Sequence, residues 1–163
     1  MTYLLGVDEF IELVDGHPDH PTLQFIASND NPDIIASAIA FGAAIEMVRC
    51  DEKLNDETRR LWTSKLDVVG EAFRDEDITA LLSASTPNIA GLDLLPFTER
   101  EAAVWAELKS QKLVGDVDDL DLMIASTAIT RGHTLLAKRR VWHASVQPIT
   151  ILGRVRLRIV NPH

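Results

Sequence analysis

The chain has 163 residues, of which 46% are hydrophobic and 25% charged. This length and composition predict one packed globular domain and exclude an intrinsically disordered chain. Its single cysteine excludes an internal disulfide and fits a reducing compartment. The first apolar run is too short for an ordinary signal peptide and follows no basic residue, and no later run is long enough to span a membrane. We therefore expect a cytoplasmic protein with no membrane partner.

The net charge of −9 is divided unevenly along the chain. All 25 acidic residues lie in residues 1–121, together with nine basic ones, whereas residues 122–163 contain seven basic residues and no acid. Such a basic end attracts phosphate groups, or it neutralises the acidic remainder within the monomer or across a dimer. The sequence leaves both interpretations open.

Apolar periodicity predicts an alternation of strands and helices along the chain. We expect strands at residues 3–7, 92–97, 134–137, 149–152 and 155–160. We expect helices at residues 9–14, 34–49 (capped by Asp33), 55–73 and 98–113, with a capping box at Thr98 and Glu101, and a last one to Arg131 capped by Asp118 or Asp119. This alternation is typical of an α/β fold whose mainly parallel sheet is flanked by helices.

Residues 121–136 contain the strongest functional signal. Asp121 stands at the start of an apolar helix, Gly132 follows that helix, and a short strand comes next. A carboxylate so placed lies at the mouth of a strand–helix–strand unit, where α/β folds bind ligands and metals. Together with the Leu94-Leu-Pro-Phe-Thr-Glu-Arg-Glu-Ala-Ala stretch before it, the segment strongly resembles PIN domains, in particular the VapC-like toxins of bacterial toxin–antitoxin modules.

The resemblance covers most of the chain and is strongest from residue 92 to about residue 136. It implies a single PIN-like domain over residues 1–163, a three-layer α/β fold with a mainly parallel central sheet. Residues 51–90 would then be an enlarged helical region, and residues 145–163 would form C-terminal strands with a basic face. It also implies a homodimer, an antitoxin-like protein partner, and an endoribonuclease that depends on Mg²⁺ or Mn²⁺.

The resemblance implies three or four acidic residues around that metal ion, because one carboxylate holds a divalent ion only weakly. In a gapless register only Asp121 keeps its carboxylate. The other three positions fall on Gly6, Ala38 and Arg139. A guanidinium at residue 139 would repel a divalent ion and could instead form paired hydrogen bonds with Asp121. The register thus predicts an eroded site of weak or no activity, with no cofactor if activity is absent.

Two alternatives stay open at this stage. The first is an active endoribonuclease with a rearranged site, in which Asp121 and Asp8 are catalytic and bind the metal together with Asp118. The second is a non-enzymatic protein-interaction module that forms an oligomer.

The basic end offers candidate RNA-binding residues. Arg154, Arg156 and Arg158 alternate with apolar residues, which would place three guanidiniums on one face of a strand. Lys138, Arg139 and Arg140 precede Trp142 and could extend that surface for single-stranded RNA. The alternative is an edge strand whose charges prevent it from pairing with other sheets.

Overall fold

The computed structural model describes residues 1–30, 32–74, 88–89, 92–111, 117–138, 150–151 and 155–162. Within these ranges the helices are α1 (Val7–Asp15), α2 (Pro21–Ser28), α3 (Ala38–Cys50), α4 (Asp56–Arg74), α5 (Glu99–Ser110) and α6 (Asp119–Arg131). The strands are β1 (Thr2–Leu5), β2 (Asp33–Ser37), β3 (Asn88–Ile89), β4 (Leu92–Leu95), β5 (Thr134–Leu136), β6 (Thr150–Ile151), β7 (Val155–Arg156) and β8 (Arg158–Val160). The predicted alternation of strands and helices is confirmed.

The described strands form a six-stranded sheet in the order β3-β4-β2-β1-β5-β8. Five of them, β4, β2, β1, β5 and β8, run parallel, and only β3 pairs antiparallel, with β4. Strand β1 lies in the middle, where Leu4 pairs with Ile35 on one side and with Leu135 on the other. The predicted α/β class with a mainly parallel central sheet flanked by helices is confirmed.

The region around residues 33–37 corrects one prediction. Asp33 was expected to cap a helix over residues 34–49, but Asp33–Ser37 form strand β2, and the helix begins at Ala38. The Ser37 hydroxyl, not Asp33, caps that helix by accepting from the backbone N–H of Ala40 at 3.1 Å. A short continuous apolar run fits a buried parallel strand as well as a helix, and the serine cap was the signal that separates the two.

The C-terminal segment corrects another prediction. Residues 155–160 were expected to form one strand, but the segment divides at the buried Leu157 into β7 and β8. Strand β7 pairs antiparallel with β6, whereas β8 forms the edge of the main sheet beside β5. The backbones of Arg156 and Arg158 therefore lie on different strands of different sheets, so residues 155–160 do not form the one continuous strand that was expected. Arg154 lies outside the described residues.

The core is built from the central strands and the helices packed on them. Leu4, Leu5, Ile124, Leu135 and Leu136 are almost completely buried. On the helical side, α3 packs against α1, α4 and α6, and α5 packs lengthwise against α6. No helix in the described ranges is both long enough and apolar enough to cross a bilayer.

Arg59, near the start of α4, forms hydrogen bonds with the end of α3 and the residues that follow it. Its guanidinium donates to four backbone carbonyls that follow or end α3: those of Val48, Arg49 at 3.0 Å, Asp51 at 2.7 Å and Leu54 at 3.4 Å. The last carbonyls of a helix have no partner within the helix, so a cation that binds several of them both caps α3 and orients α4.

We expect Arg59→Met to lower the free energy of unfolding by about 2–3 kcal/mol, because the carbonyls lose a charged donor at a partly buried position. The neighbouring Arg60 is exposed, so Arg60→Met is the matched control and should change stability by less than about 0.5 kcal/mol. Chemical denaturation of both variants measures the difference. Equal effects would show that Arg59 acts only through its general charge.

Candidate functional site at the carboxyl edge of the sheet

The central strands β1 and β5 end side by side, and the chain segments that leave them form the candidate site. The N–H of Gly6 donates to the Leu136 carbonyl at 3.0 Å, which ties the end of β1 to the end of β5. Helix α1 starts immediately after Gly6, and Lys138 follows β5 by two residues. Because α6 ends only three residues before β5, it runs opposite to the strands, and its N-terminus points towards this same edge.

Gly6 and Glu9 share one space at this edge. A Cβ atom placed on Gly6 would lie closer to Oε2 of Glu9 than real contacts allow. The backbone of Gly6 has φ −68°, which any residue can adopt, so conformation does not require glycine here. The carboxylate of Glu9, from the first turn of α1, therefore occupies the volume that a side chain at residue 6 would use.

Glu9 is held deep inside the protein. Glu9 is only 1% exposed, and its Oε1 accepts a hydrogen bond from the backbone N–H of Lys138 at 2.8 Å. Burial raises the pKa of Glu9 to about 7, and the nearby Asp8 charge adds to this, while the hydrogen bond from Lys138 works against it. The carboxyl group consequently keeps its proton to a higher pH than an exposed glutamate does.

Glu12, one turn further along α1, is bonded on both oxygens. Its Oε2 accepts from the N–H of Thr22 at 3.2 Å and from the Thr22 hydroxyl at 2.7 Å. Its Oε1 accepts from the ammonium of Lys138. Burial opposes ionisation of Glu12, but the bonds from Lys138 and Thr22 outweigh it and hold the pKa of Glu12 below its usual value. Glu12 in turn raises the pKa of Lys138, although the partial burial of the lysine opposes this rise.

Asp118 and Asp121 lie at the start of α6, as the sequence predicted. Asp118 is the N-cap residue, and its Oδ1 accepts from the N–H of Asp121 at 2.9 Å. Asp121 is 5% exposed, whereas Asp118 is exposed. Asp8, in the first turn of α1, is partly buried. One oxygen of Asp118 is thus engaged in capping the helix.

The predicted basic residues have different fates. Lys138 is bonded to Glu9 and Glu12, as described above. Arg158 is exposed on the edge strand β8, and the backbone of Arg156 lies in β7. Arg139, Arg140 and Arg154 lie outside the described residues, and so does the contact predicted between Arg139 and Asp121. RNA binding by these residues stays a prediction.

The donor atoms described at this edge do not suit a divalent metal ion. Three oxygens of Glu9 and Glu12 are already occupied by N–H, hydroxyl or ammonium donors, and one of those donors is itself a cation. Throughout the described ranges, no three or more His, Cys, Asp or Glu residues form a group that could hold a metal ion. Mg²⁺ and Mn²⁺ need several free hard oxygens, and this set does not provide them.

Sequence reasoning missed Glu9, Glu12 and Thr22 as members of this edge. A local signal existed, because Glu9 and Glu12 are three residues apart and so share a face of the helix that begins at Val7. Their common partner Lys138 is more than 120 residues away, and no local pattern connects the two.

The whole chain is similar in structure to several toxin–antitoxin complexes. A chain of VapBC2 from Rickettsia felis, bound to a DNA fragment from their promoter, superposes with a TM-score of 0.62 and 21% identity, covering 99% of this chain and 98% of that one. FitAB bound to an IR36 DNA fragment gives 0.62 and 21%, with 98% and 94% covered. DNA-bound VapBC from Salmonella typhimurium gives 0.60 and 19%, with 100% and 99% covered.

These likenesses establish the fold. It is the PIN-like fold of the VapBC chains. No family profile matches the sequence, and no curated protein matches it closely. The PIN-like architecture that the sequence resemblance implied is confirmed by the structure.

Proposed function

We propose that this chain is a toxin–antitoxin type protein with a PIN-like fold, which binds an antitoxin-like protein and forms a homodimer, and whose endoribonuclease activity is weak or absent. The first half of the proposal is supported by the likeness to VapBC and FitAB complexes, which extends over nearly the full length of both chains. All three similar chains come from assembled complexes, so the analogy extends to assembly, whereas a fold alone does not fix a function.

Weak or absent endoribonuclease activity is supported by the glycine at residue 6, where the resemblance implies an acidic residue. The strand end that would carry the first metal-binding acid has no side chain, and the Glu9 carboxylate that fills its space is bonded to the Lys138 backbone. Asp121 retains its acid at the start of α6, but no group suited to a metal ion surrounds it in the part of the chain that is described. If residual activity exists, Mg²⁺ or Mn²⁺ would be its cofactor.

The remaining features of the proposal follow from this assignment. We place the protein in the cytoplasm, as one domain over residues 1–163, with 51–90 as an enlarged helical region. Arg139, Arg140, Arg154, Arg156 and Arg158 stay candidates for RNA contact, whereas the ammonium of Lys138, which was predicted with them, is bonded to Glu12. RNA binding by the arginines should fall steeply with salt because phosphate contacts release counterions.

A cleavage assay tests the loss of activity. We expect the purified chain to degrade a panel of structured RNAs no faster in Mg²⁺ or Mn²⁺ than in chelator, and Asp121→Asn to change nothing. Asp119→Asn is the matched control, because Asp119 lies in the same turn but is exposed and paired with Lys109. Metal-dependent cleavage that Asp121→Asn abolishes and Asp119→Asn preserves would refute inactivity and support the rearranged site of Asp8, Asp118 and Asp121.

Assembly is tested separately. Light scattering after size exclusion should give twice the 18.1 kDa mass of one chain. Co-expression with a candidate antitoxin-like protein should give a larger complex that forms equally well with Asp121→Asn, since binding would not depend on the acid. A chain that stays monomeric and binds no such protein would contradict the proposal.

A further inference from the structure

The PIN-like fold implies a divalent ion at the carboxyl edge of the sheet, and the donor atoms described there do not fit one. We propose that the ammonium of Lys138 is a built-in counter-ion, which supplies positive charge to the carboxylates of α1 and thereby closes this edge to metal ions. This role of Lys138 rests on the proposed function, and it gives a physical reason for the weak or absent endoribonuclease activity.

Strand register brings Lys138 to α1. Strands β1 and β5 are parallel neighbours in which Leu5 pairs with Leu136. Two residues further along each chain segment lie Val7, the first residue of α1, and Lys138. The lysine thus leaves the sheet beside the helix that carries Asp8, Glu9 and Glu12, and its long side chain can follow that helix for one turn.

Two separate contacts hold Lys138 in this position. Its backbone N–H donates to Oε1 of Glu9 at 2.8 Å, and its ammonium donates to Oε1 of Glu12. Glu12 is itself fixed from the other side by both the N–H and the hydroxyl of Thr22. The ammonium is therefore not a mobile surface charge that meets an acid by chance, because both ends of the residue and its partner are fixed.

The surrounding acidic residues favour a cation at this position. Asp8 and Glu9 add to Glu12 in favouring the charged form of Lys138. A divalent ion approaching these carboxylates would compete with an ammonium whose local concentration is set by the covalent chain, which is far above that of free metal in solution. The ammonium should therefore occupy these carboxylates even if its individual contacts are no stronger than those of a divalent ion.

The test uses Mn²⁺ as the probe on the full chain. Lys138→Met removes the ammonium and keeps most of the apolar stem. We expect its folded-to-unfolded ratio to fall by about tenfold or more, because a partly buried acid loses its partner. Millimolar Mn²⁺ should then restore part of this loss and bind in a paramagnetic titration, since the vacated position can accept a cation. Wild type should show neither response.

Lys109→Met is the matched control. Lys109 also pairs with a carboxylate, that of Asp119 at 2.8 Å, but both side chains are about half exposed (51% and 55%). This variant should lose little stability and gain no Mn²⁺ binding. The double variant Lys138→Met/Glu12→Gln removes both charges, so it should recover stability and bind Mn²⁺ more weakly than Lys138→Met. It also keeps the test decisive if Lys138→Met alone does not fold.

Two results would overturn the inference. Stoichiometric Mn²⁺ binding by wild type would show that the edge is open to metal although the lysine is present. A destabilised Lys138→Met that gains no Mn²⁺ binding would show that Lys138 is an ordinary ion-pair partner. Both results are independent of whether the protein binds an antitoxin-like partner, so they leave that half of the proposed function standing.

Discussion

Glu101→Ala is expected to lower the free energy of unfolding by about 3–4 kcal/mol, the largest effect of any substitution proposed for this chain. Glu101 is completely buried in the first turn of α5. Its carboxylate accepts from the Thr98 N–H at 2.8 Å, the Thr130 hydroxyl at 2.7 Å and Nε of Arg131 at 2.9 Å. Alanine removes this acceptor from the Thr98 N–H, from the Thr98 hydroxyl and from Nε of Arg131, whereas the Thr130 hydroxyl keeps the carbonyls of Ser126 and Thr127. The substitution also opens a cavity between α5 and α6.

The matched control for this substitution is Glu99→Ala. Glu99 lies two residues earlier in the same helix and is exposed, so its removal should cost less than about 1 kcal/mol, mainly through the helix dipole. Denaturant titrations of both variants provide the comparison. A Glu101 variant as stable as the Glu99 variant would mean that the buried carboxylate does not hold α5 and α6 together.

The same residue predicts how stability depends on acid. Burial opposes ionisation of Glu101, but bonds from Thr98 and Thr130 outweigh it and lower the pKa to about 2 from 4.5. A carboxyl group whose pKa is lower in the folded state contributes its stability above pH 4.5 and loses it as the pH falls towards 2. Glu101→Gln should be less stable than wild type near neutral pH, and the difference should shrink across this interval.

Glu9→Gln, unlike the substitutions of Glu101, is expected to stabilise the protein at alkaline pH, by about 2–3 kcal/mol at pH 8. The pKa of Glu9 is raised by burial to about 7, whereas in the unfolded chain it is near 4.5. The folded state therefore holds the proton of Glu9 more tightly than the unfolded chain does. The contribution of Glu9 to the free energy of unfolding is complete below pH 4.5 and is lost as the pH rises to 7. Glutamine has no proton to lose, and its carbonyl can still accept from the Lys138 N–H.

The measurement is the unfolding free energy of wild type and Glu9→Gln from pH 4 to pH 8. The difference between them should grow between pH 4.5 and 7 and then level off. The groups that face Glu9 are Asp8, which strengthens the effect, and Lys138, which weakens it. Glu46→Gln, at an exposed position on α3, should show no such trend. A difference that is constant over the whole range would contradict the raised pKa.

Much of the fold was predictable because local patterns determine it. The capping box at Thr98 and Glu101 and the glycine after α6 marked helix boundaries correctly. Gly132 has φ 72°, the left-handed conformation that ends many helices. Strand β2 was missed because Ile34, Ile35 and Ala36 suit either element, and Ser37 was not recognised as the cap of the helix that follows. The division at Leu157 was missed because alternating apolar residues predict a strand but do not show which neighbouring strand each part pairs with.

The candidate site was only half predictable. Asp121 and Asp118 could be placed because they begin a helix, which is a property of a few consecutive residues. The arrangement of Glu9, Glu12 and Lys138 depends on two strands meeting side by side, and the chain gives no local indication of that pairing. The sequence register also drew attention to Arg139 as the cation opposed to metal binding. The structure describes its neighbour Lys138 in contact with the acids of α1.

The central position of β1 has a consequence for how the protein folds as it is synthesised. Residues 2–5 are synthesised well before residues 134–136, which complete one flank of this strand, and before residues 158–160, which form the edge beyond them. Contacts between segments so far apart in sequence slow folding, since a long loop must close first. Until then β1 exposes an unpaired apolar edge that invites aggregation. A nascent-chain chaperone, or a partner already present, would shorten that exposure.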